Sequence, residues 1–221
     1  MTQKFHEPYS PTILETTVSE RFVDIVNTVA DDVLSDEEKS KNWDFSHKLV
    51  GKVNKEIQIP VKDKSDREYL FRTMKQGCLD YLNYMIDKNR AQNYNRMMGE
   101  GVKPTIENIH LTQSWVVSQY AGDFNPIHHH NGDFSAAIYL KVPEGMTEEW
   151  EEDFKDHYPA KGLIEFAFGE NQNFRSDNLK FKPEVGKFLI FPSWLKHFVY
   201  PFSVEGERRM MSFNATIINR G

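Results

Sequence analysis

The sequence has a single cysteine, Cys78, and no apolar run of the length that crosses a membrane. One thiol excludes an intramolecular disulfide framework and every cysteine-rich zinc module. The first ten residues contain no apolar stretch, so a signal peptide is not expected. Basic residues are not in excess either, because 27 Lys and Arg stand against 33 Asp and Glu. The net charge of −6 argues against stable binding to nucleic acid. We therefore expect a cytoplasmic protein that binds neither membranes nor nucleic acid.

The remaining composition is that of a folded protein with much β-sheet. Hydrophobic residues make up 39% and aromatic residues 13% of the 221-residue chain, and aromatic side chains favour strands. A chain of this length can build its own core. No linker or repeat divides it, so the sequence predicts a single domain, 1–221. Its first part, 1–105, reads as a helical and edge-strand support, and its second part, 106–221, reads as β-sheet.

The support region contains two amphipathic helices. Apolar residues recur at helical spacing over 20–34, after Ser19 as a candidate N-cap, and again over 67–89. Between them, 53–61 alternates weakly and predicts an edge strand, since Pro60 lacks a backbone donor. Cys78 falls on the apolar stripe of the second helix, which predicts a buried core thiol and not a nucleophile.

After Pro104 the period of the apolar residues changes from helix to strand. Strands are predicted at 111–120, 134–142, 162–168, 187–191 and 210–218, and Gly, Pro and Asn separate them. Several short strands of this kind are typical of an antiparallel sandwich or barrel. An acidic segment, 144–161, interrupts them and predicts a short helix on a loop, either a solvated insertion or a lid.

Three consecutive histidines, 128–130, precede the second predicted strand. In an extended segment His128 and His130 point to the same side, and two imidazoles placed in this way can bind one metal ion. The alternative is an exposed polar turn. Two further arrangements stay open: His129 replaces His130 if the strand bulges, and Asp133 adds a carboxylate if the turn folds back.

The last predicted strand carries two adjacent arginines. Along an extended chain Arg208 shares a face with Ser212 and Asn214, whereas Arg209 faces the other side. A guanidinium group binds a carboxylate with two parallel hydrogen bonds, so Arg208 could hold one end of a dicarboxylate.

The order of five segments resembles the iron(II)/2-oxoglutarate-dependent oxygenases, and within them a family found in bacteria and tailed phages. The segments are SWVVSQYAGDFNPIHHH, SAAIYLKVP, GLIEF, GKFLIFPSWLKHFVYP and ERRMMSFN, which lie within 114–214 and span roughly half of the chain. The resemblance implies a mainly β protein with a helical N-terminal part. Its fold would be a double-stranded β-helix (jelly roll, cupin-like) buttressed by helices, with 106–221 as the catalytic core.

Carried over residue by residue, the family pattern assigns six residues in two groups. The iron ligands are His128, His130 and His197. The 2-oxoglutarate contacts are Arg208, Tyr120 and Ser212, while Met210 stands where the family has a nearer serine. The usual iron triad is two histidines and one carboxylate, whereas this set is three imidazoles.

The resemblance implies a non-haem Fe(II) and 2-oxoglutarate-dependent dioxygenase. It would use O2 to hydroxylate an unidentified substrate and release succinate and CO2. Two other classes stay open: a co-substrate-free cupin-type metal dioxygenase, and a non-catalytic jelly-roll binding module. A carboxylate clamp formed by Arg208 and Tyr120 separates the first class from our interpretation. The three-ligand site separates the second, since structural zinc usually has four protein ligands. A homodimer is compatible with the sequence, and a phage-encoded chain would act in the host cytoplasm.

Overall fold

The computed structural model describes residues 11–46, 55–146, 160–171, 173 and 176–219. In chain order the elements are β1 (Leu14–Thr17), α1 (Glu20–Leu34), α2 (Glu37–Asn42), β2 (Lys55–Ile57), α3 (Lys64–Asp87), α4 (Gln92–Met98), a 3-10 turn (Ile106–Asn108), β3 (Ile109–Gln119), β4 (Asn125–His128), β5 (Phe134–Lys141), β6 (Ile164–Ala167), β7 (Asn178–Phe181), β8 (Lys187–Pro192), β9 (Lys196–Val199) and β10 (Arg208–Ile217). Most of the acidic insertion predicted at 144–161 lies outside the described residues. Within them, no helix has the length and apolar character needed to cross a membrane.

The strands form two antiparallel sheets. The larger sheet has the order β1-β8-β5-β10-β3-β2 and the smaller one β4-β9-β6-β7. Neighbours in the order are mostly distant in sequence, as in a jelly roll, because the chain passes repeatedly from one sheet to the other. This architecture confirms the prediction of a mainly β protein with a helical N-terminal part.

Alternation along the central strands divides the core into two layers. One set of side chains points between the sheets and joins them: Ala137, Tyr139, Leu189, Phe191 and Met210 from the larger sheet, with Ile164, Phe166 and Val199 from the smaller. The neighbouring residues on the same strands, among them Ile138, Ile190 and Phe213, point away and pack against the helices. The larger sheet is therefore buried on both faces, while the inner layer surrounds the space between the sheets.

The helices cover the outer face of the larger sheet for reasons visible in the sequence. The α1 helix begins after Ser19, whose side chain accepts a hydrogen bond from the backbone N–H of Phe22. In α3, Cys78 is fully buried, and burial raises the pKa of its thiol. The core position predicted for this residue is confirmed. Gly77 lies beside Cys78 where a Cβ would be 2.6 Å from the Ile190 side chain, so only glycine lets α3 approach β8 this closely.

The sequence predicts the long elements better than the short ones. The prediction for α1 has the same bounds as the helix, and those for α3 and the five predicted strands differ by a few residues. The edge strand predicted at 53–61 is shorter in the structure, where β2 covers Lys55–Ile57. Strands β1, β4, β7 and β9 were not predicted. Each has four residues, which is too short for a periodic pattern to develop.

A buried arginine links the helices to the centre of the larger sheet. Arg209 of β10 is 2% exposed, and its Nε donates to Glu207 Oε1 at 2.7 Å. Its Nη2 lies 2.7 Å from Asp31 Oδ1, and its Nη1 donates to Asn27 Oδ1 at 3.1 Å, both on α1. Lys141 joins the same acidic groups from a more exposed position. The charge of Arg209 is therefore fully engaged in holding α1 against β10.

We expect Arg209→Ala to lower the free energy of unfolding by about 3 kcal/mol or more, because it removes the closest cation from the largely buried Glu207 and leaves it Lys141 at 3.5 Å. Lys141→Ala removes a half-exposed partner of the same acids and is expected to cost about 1 kcal/mol or less. Urea denaturation of both variants measures the difference. Equal losses would contradict the central position given to Arg209.

Candidate active site

The structure brings three histidines together at the end of the space between the sheets. His128 ends β4 and faces His197 of β9 directly across the antiparallel pair. His130 follows two residues later, and its backbone N–H donates to Ser193 O at 2.9 Å, which fixes the chain next to β9. One ring nitrogen from each of the three lies within 4.8 Å of the other two. The ring centroids of His128 and His197 are 4.3 Å apart. The His130 centroid lies 5.0 Å from that of His128 and 5.1 Å from that of His197.

The protein orients two of these rings through their Nδ1 atoms. His128 Nδ1 lies 2.7 Å from Pro126 O, and His197 Nδ1 lies 3.0 Å from Leu195 O. A carbonyl oxygen only accepts hydrogen bonds, so each Nδ1 carries the proton and each Nε2 keeps its lone pair for a ligand. A backbone carbonyl in this position is the usual partner of a metal-binding histidine.

Burial keeps the imidazoles neutral. It lowers the pKa of His130 to about 4 and that of His197 to about 3, with a smaller contribution from the neighbouring histidines. Burial lowers the pKa of His128 as well, against the hydrogen bond to Pro126. Near neutral pH all three rings therefore offer lone pairs, which is the form that binds a divalent metal ion.

The two alternative ligands lie elsewhere. His129 has an exposed side chain and does not join the histidine cluster. Asp133 turns towards β10, where its Oδ2 accepts from Thr216 Oγ1 and from the backbone N–H of Ile217, both at 2.7 Å. Asp133 is thus occupied in holding the loop after the histidines. The described residues supply three imidazoles and no carboxylate to the cluster.

A cavity of about 250 Å³ opens beside the three histidines. Its walls include Trp115 of β3 and Met210 and Ser212 of β10. The Trp115 ring lies 5.8 Å from that of His130 and stacks at 5.5 Å on Phe45. A small organic molecule has room beside the cluster, with aromatic faces along one side.

Arg208 lies at the inner end of β10, fully buried between the sheets. Its Nη1 donates to Gly162 O at 2.6 Å, and its guanidinium carbon lies 5.7 Å from the centre of the Tyr139 ring. Among the described residues no carboxylate pairs with it, in contrast to Arg209 on the opposite face. A buried cation without a counter-charge is costly, so the site is incomplete without an anion.

Unpaired polar atoms surround this guanidinium. Besides Arg208 Nε, the buried atoms without a partner include the Tyr139 hydroxyl and both amide atoms of Gln119. Gln119 is the direct cross-strand partner of Arg208, and Tyr139 is that of Met210, so both face the same inner layer. Each unpaired buried polar group costs about 1–3 kcal/mol. A carboxylate placed at Arg208 would accept from the donors among them, Arg208 Nε, the Tyr139 hydroxyl and Gln119 Nε2, which is the fit expected for one end of 2-oxoglutarate.

The structure does not bring Tyr120 into this group. Its side chain is 41% exposed. Burial raises the pKa of Tyr120. The charged groups that act on its hydroxyl include Glu207 and Arg209, which lie on the face opposite Arg208, and not Arg208 itself. The reason is alternation, because Gln119 takes the inner face and its neighbour cannot share it. Sequence reasoning missed Tyr139 and Gln119, since only the strand register shows that they flank Arg208.

Ser212 lines the cavity next to the histidines, on the same face of β10 as Arg208. It lies four residues further along the strand, which is about 13 Å at the rise of an extended chain. Ser212 is therefore too far from Arg208 to share one carboxylate with it.

Comparison with known proteins agrees with this geometry. Residues 113–214 match the model of a family described as "Putative 2OG-Fe(II) oxygenase". No curated protein sequence matches the chain. Among solved structures, a prolyl hydroxylase from Trichoplax adhaerens, in complex with a hypoxia inducible factor peptide, is similar at 15% identity and a TM-score of 0.52, over 94% of this chain and 83% of that one.

Two further solved structures are similar at lower TM-scores. A Pseudomonas putida prolyl-4-hydroxylase has 14% identity and a TM-score of 0.49, over 94% of this chain and 93% of that one. HygX from Streptomyces hygroscopicus, crystallised with nickel and 2-oxoglutarate, has 10% identity and a TM-score of 0.48, over 93% and 82%.

The family match over 113–214, just under half of the chain, supports a 2-oxoglutarate/Fe(II)-dependent oxygenase, an oxidoreductase, and the structural likeness shows the double-stranded β-helix fold. The resemblance that the sequence showed is thereby confirmed, as are the fold class and the iron and 2-oxoglutarate of the class. The association with phages is not supported by these comparisons, and a cytoplasmic location stays a prediction.

The geometry predicts which histidines hold the metal. Losing a residue that only orients a metal ligand typically weakens metal binding about 10- to 100-fold. We expect His197→Ala to weaken binding of a divalent ion more than this, because it removes a ligand itself. His129→Ala, on the exposed neighbour, is expected to leave binding unchanged. Titration of apo protein with Mn(II) or Ni(II), followed by metal analysis, checks both. Loss of the metal in His129→Ala would show that the register of the ligands is shifted by one.

Proposed function

We propose that this protein is a non-haem iron(II) and 2-oxoglutarate-dependent dioxygenase that hydroxylates its substrate and releases succinate and CO2. The observation that carries the proposal is the pairing of two incomplete sites in one inter-sheet space. Three neutral imidazoles converge without a metal-neutralising carboxylate, and Arg208 is buried without an acidic partner among the described residues. A dianion that binds both a metal and a guanidinium completes the two sites together.

The three histidines would hold the metal and leave its remaining positions to other ligands. His128 and His197 are fixed by their carbonyl partners, so their Nε2 atoms stay in place as the pocket fills. Iron(II) held there supplies the redox chemistry that couples the decarboxylation of 2-oxoglutarate by O2 to the oxidation of a substrate C–H bond. The protein contributes the ligands, the orientation and the dry surroundings.

Arg208 would bind the carboxylate of 2-oxoglutarate that lies far from the metal. Its guanidinium group offers planar, charge-assisted hydrogen bonds, and Tyr139 and Gln119 stand beside it with unpaired polar atoms. We assign these two residues to the role that the family pattern gave to Tyr120. The apolar residues Leu189 and Val199, on opposite sheets, belong to the core layer between the two sheets.

Two rival functions fit the site less well. A co-substrate-free dioxygenase has no use for a buried arginine that lacks a counter-charge. A structural metal site is closed by four protein ligands, whereas the three histidines border an open cavity. Ser212 and Asn214 line that cavity near the metal position and would face the substrate.

The direct test is turnover without a substrate. We expect the protein, loaded with Fe(II) and given 2-oxoglutarate and O2, to form succinate slowly, because oxygenases of this class decarboxylate the co-substrate in an uncoupled reaction. His197→Ala serves as the inactive control. The absence of both succinate formation and 2-oxoglutarate binding in metal-loaded wild type would refute the proposal.

Arg208→Ala is expected to weaken 2-oxoglutarate binding about ten- to a hundredfold, since a hydrogen-bonded charge is worth about 1.5–3 kcal/mol. Metal occupancy stays nearly unchanged, because the histidines lie on other strands. Arg208→Lys restores the charge but only part of the affinity, since the planar group is lost. Anaerobic calorimetric titration of metal-loaded protein measures this. Loss of the metal together with 2-oxoglutarate would contradict separate roles for the two groups.

The two tyrosines provide a matched pair. Tyr139→Phe is expected to weaken 2-oxoglutarate about tenfold through the loss of one charge-assisted hydrogen bond. Tyr120→Phe removes a hydroxyl from the other face of the sheet and is expected to have no effect. The same titration distinguishes them. An effect confined to Tyr120→Phe would restore the assignment made from the family pattern.

A further inference from the structure

One buried acid in the cavity wall has no role in binding the metal or 2-oxoglutarate. Glu56 of β2 is 1% exposed and lines the same cavity as the three histidines. Its cross-strand partner is Val117, which also lines the cavity, so its side chain faces inward. The Glu56 Oε1 atom has no hydrogen-bond partner.

Aromatic rings flank this carboxyl group. Trp115 lies diagonally across the strand pair from Glu56 and stacks on Phe45 at 5.5 Å. Backbone contacts hold the recess together: the Phe45 N–H donates to Glu56 O at 2.8 Å, and the Glu56 N–H donates to Ser46 Oγ at 3.1 Å. Glu56, Trp115 and Phe45 therefore form one wall of the cavity, which we call the acidic recess.

The acidic recess is costly for the fold as it stands. Burial raises the pKa of Glu56 to about 8, the charge of Asp44 adds to this, and a hydrogen bond from Trp115 opposes it. Near neutral pH Glu56 is therefore mostly protonated, and within the described residues no salt bridge stabilises its carboxylate form. A buried carboxyl group with one oxygen left unpaired is expected where a ligand supplies the missing partner.

We propose that Glu56 anchors the substrate by binding a basic nitrogen, an alkylammonium or guanidinium group, in the acidic recess. Glu56 is the one acidic side chain among the described residues that line the cavity. A desolvated carboxylate pairs more strongly with a cation than with a neutral amide. The inference rests on the proposed function, because it assigns the substrate of the same site.

The anchor also orients the substrate. Trp115, which belongs to the recess, also lies next to His130, with 5.8 Å between the two ring centroids. A nitrogen bound at Glu56 would therefore lie one aromatic ring away from the metal position. The oxidised carbon therefore belongs to the same short chain as the basic nitrogen. Free amines and the basic side chains of a peptide share this chemistry.

The test uses the full chain loaded with Mn(II), which does not turn over, and with 2-oxoglutarate. Calorimetric titration compares matched probes: N-acetyl-lysine methylamide with its side-chain-acetylated form, and N-acetyl-arginine methylamide with its citrulline counterpart. We expect each cationic probe to bind about ten- to a hundredfold more tightly than its neutral match. Tighter binding of free lysine or arginine would identify a metabolite, and tighter binding of the blocked forms a peptide.

Glu56→Gln keeps the shape of the side chain and is expected to abolish the preference for the cation. Its melting temperature should equal or exceed that of wild type, since a buried ionisable group is removed, and its Mn(II) and 2-oxoglutarate affinities should stay unchanged. Glu38→Gln, at an exposed acid of α2 outside the cavity, is the matched control and should bind the probes as wild type does.

The outcomes separate the two proposals. If wild type binds neither Mn(II) nor 2-oxoglutarate, the proposed function is wrong. If it binds both but no cationic probe at millimolar concentration, or if Glu56→Gln keeps the preference, the assignment of Glu56 is wrong while the oxygenase stands. Equal binding of cationic and neutral probes would likewise overturn it.

Discussion

Two neighbouring arginines on β10 point in opposite directions, and much of the structure depends on this alternation. Arg209 turns outward, where Glu207 and Asp31 neutralise it and bind the first helix to the sheet. Arg208 turns inward, where the described residues provide no acid. The guanidinium group of Arg209 thus holds the helix against the sheet, and that of Arg208 has no acidic partner among the described residues, as a site for an anion requires. Both arginines are almost fully buried, so a one-residue shift of the register would leave each in the wrong surroundings.

The histidine cluster follows from a second register, that of β4 with β9. Because His128 pairs with His197, the two rings share a face before any metal binds. The set of three neutral imidazoles differs from the usual two histidines and one carboxylate. The nearby carboxylate, Asp133, is bound to Thr216 and to the backbone of β10. The bound metal would therefore keep one more positive charge, which favours a dianionic ligand beside it.

The short strand β2 gives the cavity its own chemistry. It sits at the edge of the larger sheet and presents Glu56 in the cavity wall, beside the stacked rings of Trp115 and Phe45. The inner layer thereby divides into three zones. Arg208 and its neighbours lie deepest, the histidines stand at the end of the sheets, and the acidic recess faces the space left for a substrate. The first zone offers a cation to an anionic ligand, the second offers neutral lone pairs to a metal ion, and the third offers an acid to a basic ligand.

Local patterns in the sequence determined the long elements and the pairs within a strand. The apolar stripe of α1, the separation of Arg208 from Arg209, and the common face of His128 and His130 all follow from helical or extended periodicity, which acts over a few residues. Pairings between distant strands decided the rest. They place Gln119 and Tyr139, instead of Tyr120, beside Arg208, they direct Asp133 away from the histidines, and they bring Glu56 into the cavity. Such contacts depend on the register of chains far apart in sequence, and no periodicity within either segment records that register.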